Sequence, residues 1–287
     1  MRDPMVGPPP GFFKRIYNAI SEVVLKYLDD DGLTRGAAIS FYTVTSIIPL
    51  LVIVVSIVGL VYGRDAAWLA ISGQIAGLMG PETASLLGAA LEKASSPGTG
   101  ILAGILGAVT LFVTASGAFG EMQSALNRIW RAQPKEAVLS RLVRARAVSL
   151  GLVAALGFLM LVSLVVSAGV TALSARINTV MPFGSVVLSV LNGVISTALV
   201  AMLFAAVFKV LPDVPIAWKD VVVGALVTAI LFAGGKALIG WYIGSSGVAT
   251  AYGAAGGLIV LLVWVYYSAQ IFLLGAELTY AWSRRRV

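Results

Sequence analysis

The chain has 287 residues, of which 59% are hydrophobic and 11% charged, and its mean hydropathy is +0.96. Soluble globular domains do not reach that balance, so the chain reads as a membrane protein. With no cysteine and no histidine it lacks disulfides, thiolate nucleophiles, an imidazole base and the usual zinc and haem ligand sets, and no cofactor or metal is expected.

The first eleven residues, MRDPMVGPPPG, are rich in Pro and Gly and read as an unstructured segment. No apolar stretch follows the early charges, so they are not a signal peptide. Phe12 to Leu28 is an amphipathic helix by its spacing. Phe13, Ile16, Ile20, Val23, Val24 and Tyr27 lie on one side, and Lys14, Arg15, Asn18, Ser21 and Glu22 on the other, a pattern suited to the membrane interface. Asp29, Asp30, Asp31 and Gly32 end it; the triplet caps the next helix, binds a cation or forms a solvated turn. Residues 1–32 are thus an N-terminal segment, and 33–287 the membrane domain.

Gly36 to Tyr62 carries no charge and is long enough to cross the hydrocarbon core. Its second half is Val, Ile and Leu, while Tyr42, Thr45, Ser46 and Pro49 share one face of the first half at i, i+3, i+4, i+7. Lipid offers a polar face no partner. That face therefore either packs on other helices, its hydroxyls bonding their own helix carbonyls, or lines a pathway. Pro49 removes a donor and frees the carbonyl near Thr45.

Gly63 to Gly100 is too polar to cross, yet its apolar residues recur at helical spacing and Gly80-Pro81 divides it. Two interfacial or re-entrant helices over about 64–96 are expected on the outer side, the second starting at Pro81. Five further apolar stretches follow, about Ile101–Gly120, Ala147–Val170, Ser185–Phe208, Val221–Ile243 and Ala251–Trp282. The prediction is an all-α protein with six transmembrane helices plus amphipathic interfacial helices. Gly100, Gly104 and Ala108 offer one small-residue stripe, and the glycine pairs Gly240/Gly244 and Gly253/Gly257 another contact or a flexible outer gate.

Sixteen of the 20 Lys/Arg fall in the N-terminal segment, the second-to-third and fourth-to-fifth links and the tail. The positive-inside rule then places both termini in the cytoplasm. It also accounts for the +7 charge without nucleic acid, since the charge is spread over several segments and not gathered on one platform. Arg141, Arg144 and Arg146, beside span three, are candidate contacts for anionic lipid.

In the last span Tyr267, Gln270 and Glu277 recur near one face, and Glu121 sits at comparable depth near the end of span two. Ionisable groups inside a bundle usually face its interior. Glu277 either pairs with Arg35 or Arg128, locking helix ends together, or belongs to a site for a polar headgroup or a proton. Arg35, Glu121, Asn127 and Arg128 form the expected cytoplasmic-side polar cluster. Lys236 lies about 24 Å into span five at ~1.5 Å per residue, out of reach of Glu277. It either snorkels outward or meets an anionic ligand.

Ser46-Ile47-Ile48-Pro49, Asn127-Arg128-Ile129-Trp130, Tyr252-Gly253 and Leu274-Gly275-Ala276-Glu277-Leu278, in that order on a six-span background, resemble the YihY/virulence factor BrkB family over roughly Gly32 to Trp282. The resemblance implies an integral protein of the bacterial inner membrane. It carries the labels ribonuclease BN and serum-resistance factor and an association with moving lipids. A ribonuclease needs clustered carboxylates or His, and the acids outside Asp29–Asp31 are scattered singly, so no enzyme is expected. No GxxxxGK[ST] occurs either. Two functions remain. One is transport of an amphipathic envelope molecule, such as an anionic lipid, along a groove between spans one, five and six. The other is a non-transporting scaffold for envelope protein partners. A homo-oligomer is compatible with both.

Overall fold

A computed structural model describes residues 12–94, 100–132, 184–246 and 256–284. These form helices α1 (Phe12–Asp29), α2 (Gly32–Tyr62), α3 (Arg64–Met79), α4 (Pro81–Ala94), α5 (Gly100–Ile129), α6 (Gly184–Val210), α7 (Trp218–Ser246) and α8 (Gly256–Arg284), with no strand among the described residues. Four stretches are long and apolar enough to cross a membrane by length and composition: Gly32–Leu60, Gly193–Val210, Trp218–Tyr242 and Gly256–Arg284. They match the predicted spans one, four, five and six. Span two lies within α5, while Ala147–Val170 falls outside the described residues.

Local chemistry sets the boundaries. Gly63 and Gly80, at φ 82 and 92, end α2 and α3 in the left-handed region that glycine enters without a Cβ penalty. Pro81 opens α4, where its missing N–H costs nothing. Inside α2, Pro49 is accommodated without a break over 31 residues, about 46 Å at ~1.5 Å each. The helix after Gly120 is longer than expected. Ala125, Leu126 and Ile129 are buried on one face, so α5 runs to Ile129 and ends at Arg131, φ 51.

Helix α2 packs on α5, α8 and α3; α7 lies between α6 and α8; α3 and α4 pair and lean on α2 and α8; α1 lies against α8. The main core gathers at the end of the bundle where α1 meets α2 and α5 ends. Since Lys26, Arg35, Arg128, Arg131, Lys209 and Arg284 lie there, it is called the basic end below. Phe208, fully buried, sits 5.4 Å from Phe272 in a stacked pair, and Phe204, Phe232 and Trp264 continue the aromatic run at 5.9–6.4 Å. A second apolar cluster joins Val55 of α2 to Ala67 and Leu91 of the α3–α4 pair.

Helices α7 and α8 meet through a reciprocal contact. Thr228 donates to the Gly224 carbonyl at 2.6 Å, and Thr279 to the Gly275 carbonyl at 2.7 Å. Each threonine then sits on the other helix's glycine, Thr228 over Gly275 and Thr279 over Gly224. With its hydroxyl bonded at home, each threonine lays Oγ1, Cβ and Cγ2 directly against the glycine opposite, a close approach only a residue without Cβ allows. At Gly240 no described residue lies within 4 Å of a Cβ built there, so the expected close contact is not made among the described residues. The stripe from Gly100 to Ala108 and the Gly253 pair lie outside the described side chains.

Candidate functional site

Two features stand out, a polar network at the basic end and an apolar cavity beside it. The network begins at the α1–α2 turn. Asp30 is 4% exposed, and its Oδ1 accepts from Arg131 Nη1 at 2.8 Å and Arg128 Nε at 3.3 Å. Arg128 also reaches Asp31 Oδ2 at 3.0 Å and the Asp29 carbonyl at 3.1 Å. The acidic triplet is therefore the acceptor for the end of α5, and Asp31, at the N-cap position, makes no side-chain cap bond. Arg35 Nη1 donates to Glu121 Oε1 at 2.9 Å and Ser124 Oγ at 3.1 Å.

Asn127 makes a two-way bond with the α6–α7 link. Its Nδ2 donates to Asp213 Oδ2 at 2.6 Å, and the Asp213 amide donates to its Oδ1 at 2.8 Å. Gln123 adds a third bond to Asp213 Oδ1 at 3.1 Å. On the opposite wall Tyr27 donates to Gln270 Oε1, and Gln270 Nε2 reaches the Leu33 carbonyl at 3.4 Å. Gly32 and Gly36 make this possible. The Tyr27 ring covers the first and the Gln270 amide the second, where no Cβ fits. Burial, and then the neighbouring Tyr266, push the Tyr27 hydroxyl up to about 12.

Glu277 is 1% exposed. No ion pair joins it to Arg35, whose Nη1 is on Glu121 and Ser124, or to Arg128, which sits on the acidic triplet; its carboxyl borders the same small space as that of Asp30. Tyr267 diverges from Gln270 and Glu277, packing on Gly235 of α7. On α2, Tyr42 packs on Gly117 of α5. Thr45 Oγ1 donates to the Phe41 carbonyl at 2.9 Å and Ser46 Oγ to the Thr43 carbonyl at 2.8 Å, so both hydroxyls are satisfied within the helix. Pro49 is half-buried and lies outside the cavity lining. Lys236 is exposed on α7, while Arg141, Arg144 and Arg146 fall outside the described residues.

The cavity, about 620 Å³, lies among α2, α5, α6 and α8. Leu50, Leu111, Phe119, Leu203, Phe204 and Phe272 typify its walls. Of the sequence candidates only Ser46 lines it, and α7 contributes only Phe232 among the described residues. The space thus falls between spans one, two, four and six, not one, five and six. Its volume is typical of ligand pockets, but its lining is more uniformly apolar than theirs. It suits a hydrocarbon chain better than a polar solute. Residues 133–183, which connect α5 to α6, are not among those described.

An all-helical bundle with four span-length apolar helices, a buried polar network at one end and an apolar hollow beside it defines a polytopic membrane protein. The family profile described as virulence factor BrkB matches residues 23–287, and the chain belongs to that family. Relatives include a UPF0761 membrane protein of Ralstonia nicotianae, 30% identical over 91% of this chain and 58% of its own length. Others are one from Psychrobacter sp., 25% identical over 92% and 48%, and one from Pseudoalteromonas translucida, 25% identical over 94% and 85%. The chain spans about half to three-fifths of the length of the first relatives it matches. No solved structure matches.

Asp213 and Arg131 escaped the sequence reading as site residues, and Asp30 entered it only within the acidic triplet, as a cap, a cation ligand or a solvated turn, not as the buried partner of two arginines. The signal available for them was that Asp30 and Asp213 both lie in short links between apolar helices, where an acid meets the basic residues of a neighbouring helix end.

Proposed function

We propose that the protein carries an amphipathic envelope molecule, such as an anionic lipid, across the bacterial inner membrane, with six spans and both termini cytoplasmic. The observation that supports this is the cavity of about 620 Å³ walled almost wholly by apolar side chains. A packed helical bundle normally leaves few voids larger than a water, and an apolar hollow this size holds the tail of an amphiphile while its charged head stays at the basic end. Arg35 and Arg128 of the cytoplasmic-side polar cluster lie at that end, and the anionic-lipid contacts expected from sequence, Arg141, Arg144 and Arg146, follow them in the chain. Lys236, exposed on α7, meets a headgroup only from the lipid side.

The test is to fill the cavity. Ala115→Phe and Ser268→Phe place rings where two small lining residues stand. Purified variants that keep the wild-type melting temperature should lose co-purifying phospholipid, read by native mass spectrometry, and lose transfer of a fluorescent phosphatidylglycerol between the leaflets of proteoliposomes. Variants that retain both would refute transport and leave the scaffold.

A further inference from the structure

Asp30 and Glu277 are used by no step of that proposal, and the inference drawn from them does not rest on it. Asp30 Oδ2 and Glu277 Oε1 are both buried with no hydrogen-bond donor. They line a small cavity of about 10 Å³ with Tyr27, Gly32, Arg35, Ala125, Ile129 and Leu273, the size of one water-sized occupant. Both carboxyls thus border the same small space, each with an oxygen that no donor reaches. Two carboxylates cannot share a hydrogen bond directly, because each only accepts; a direct bond between them needs a proton on one.

The charges facing Glu277 from each neighbouring element are bound elsewhere, save that Arg35 Nε is buried without an acceptor beside the same space. From α1, Lys26 is held by Glu22 at 2.5 Å, and Tyr27 donates to Gln270. From α2, Arg35 is held by Glu121 and Ser124. From α5, Arg128 and Arg131 are spent on Asp30 Oδ1 and Asp31. The α7 surface against this part of α8 is Gly224 and Thr228, and α6 offers Val207, Phe208 and Leu211 to the same core. A metal cation is disfavoured there, since two guanidiniums already sit on Asp30, and among the described residues no group of three acids surrounds the space.

We propose that Asp30 and Glu277 form a buried proton-binding site, in which one proton held between their carboxyls clamps the α1–α2 turn onto α8. The Glu277 carboxylate takes the proton from water at the basic end, becomes a neutral carboxylic acid and donates to Asp30 Oδ2. Asp30 Oδ1 accepts from Arg128 and Arg131, whose side chains are 41% and 53% exposed and connect the site to solvent. Loss of the proton leaves two buried like charges across the contact, and α1 separates from α8.

The test uses the full chain in lipid nanodiscs. Infrared spectroscopy across a pH titration should show a carboxylic acid C=O band in wild type that is absent in Glu277→Gln. In parallel, Val23, buried on α1, and Tyr17, exposed on it, are each replaced by cysteine, and the labelling rate of Val23→Cys is divided by that of Tyr17→Cys. This ratio should rise up to about tenfold per pH unit as the clamp opens, the slope of a single proton, and should be flat with Glu277→Gln. If that variant folds poorly, Asp30→Asn serves, since it removes the charge that destabilises ionised Glu277. No band lost on Glu277→Gln, or the same slope in wild type and both variants, overturns the site. So does a band at fixed pH that responds to exchanging sodium for choline, which would assign the space to a metal cation.

Discussion

The reciprocal glycine–threonine contact between α7 and α8 makes a prediction of opposite signs for one chemical change. Gly275→Ala adds a methyl whose carbon would stand 2.7 Å from Thr228 Cγ2 and 2.8 Å from its Cβ, besides meeting its hydroxyl. The Cβ is fixed to the backbone, so rotating the threonine cannot relieve the overlap and the helices must move apart. Overpacking of this kind costs about 1–3 kcal/mol, and separation also loosens Thr279 from Gly224. Alanine gains about 1 kcal/mol over glycine in helix propensity, which does not cover the upper part of that range. At Gly234, exposed and with nothing within 4 Å of a built Cβ, only the propensity gain remains. Gly234→Ala should therefore be neutral or stabilising by up to about 1 kcal/mol, and Gly275→Ala destabilising by up to about 2 kcal/mol net. Thr228→Ala in the Gly275→Ala background should recover part of the loss, with a coupling energy of about 0.5–3 kcal/mol. The assay is reversible unfolding of the detergent-solubilised protein in SDS, followed by circular dichroism. Equal effects at Gly275 and Gly234 would refute the packing argument.

Asn127→Ala should cost about 1–3 kcal/mol in the same assay, because it leaves the half-buried Asp213 carboxylate and amide without their partner; a loss below 0.5 kcal/mol would show the link to be held otherwise (roughly the floor for one hydrogen bond). Tyr27 titrates higher folded, about 12, than its ordinary 10, so its contribution is fully present below pH 10 and lost as pH rises through about 12. Tyr27→Phe should remove that part of the alkaline slope in stability, and an unchanged slope would place its cause elsewhere. Single cysteines at Ser95 and Ser246 should label from outside intact cells, and those at Ser140 and Ser283 should not; labelling at Ser140 would overturn the orientation.

Much of the helix plan is legible in the chain because a bilayer imposes lengths that hydropathy reads directly. The amphipathic start at Phe12, the break at Gly80-Pro81 and the last span all follow from local pattern. The end of α5 does not. Glu121 to Arg128 reads as polar beyond a span, yet Met122, Ala125, Leu126 and Ile129 continue the helical apolar stripe, and their spacing carried the signal. The site was less legible, because burial is a property of neighbours. Nothing in Asp29-Asp30-Asp31 marks the middle acid as buried and the other two as exposed. Likewise the helical pattern turns Glu277 toward the bundle interior, where it is buried, but which side chains meet it depends on which turn closes over α8.

The bond pair between Asn127 and Asp213 has a mechanical meaning for the hollow beside it. Helices α5 and α6 stand on opposite sides of that space, and the described segments join them side chain to backbone at the basic end. A pair of rods fastened at one end behaves like tweezers. Rotation about the fastening moves the far tips most and the near ends hardly at all, so a small angular change at Asp213 would be magnified over the roughly 40 Å length of α6 at ~1.5 Å per residue. The fastening is a reciprocal bond pair, with a short side-chain contact of 2.6 Å on one side and a backbone amide on the other, and it resists twisting more than a single contact would.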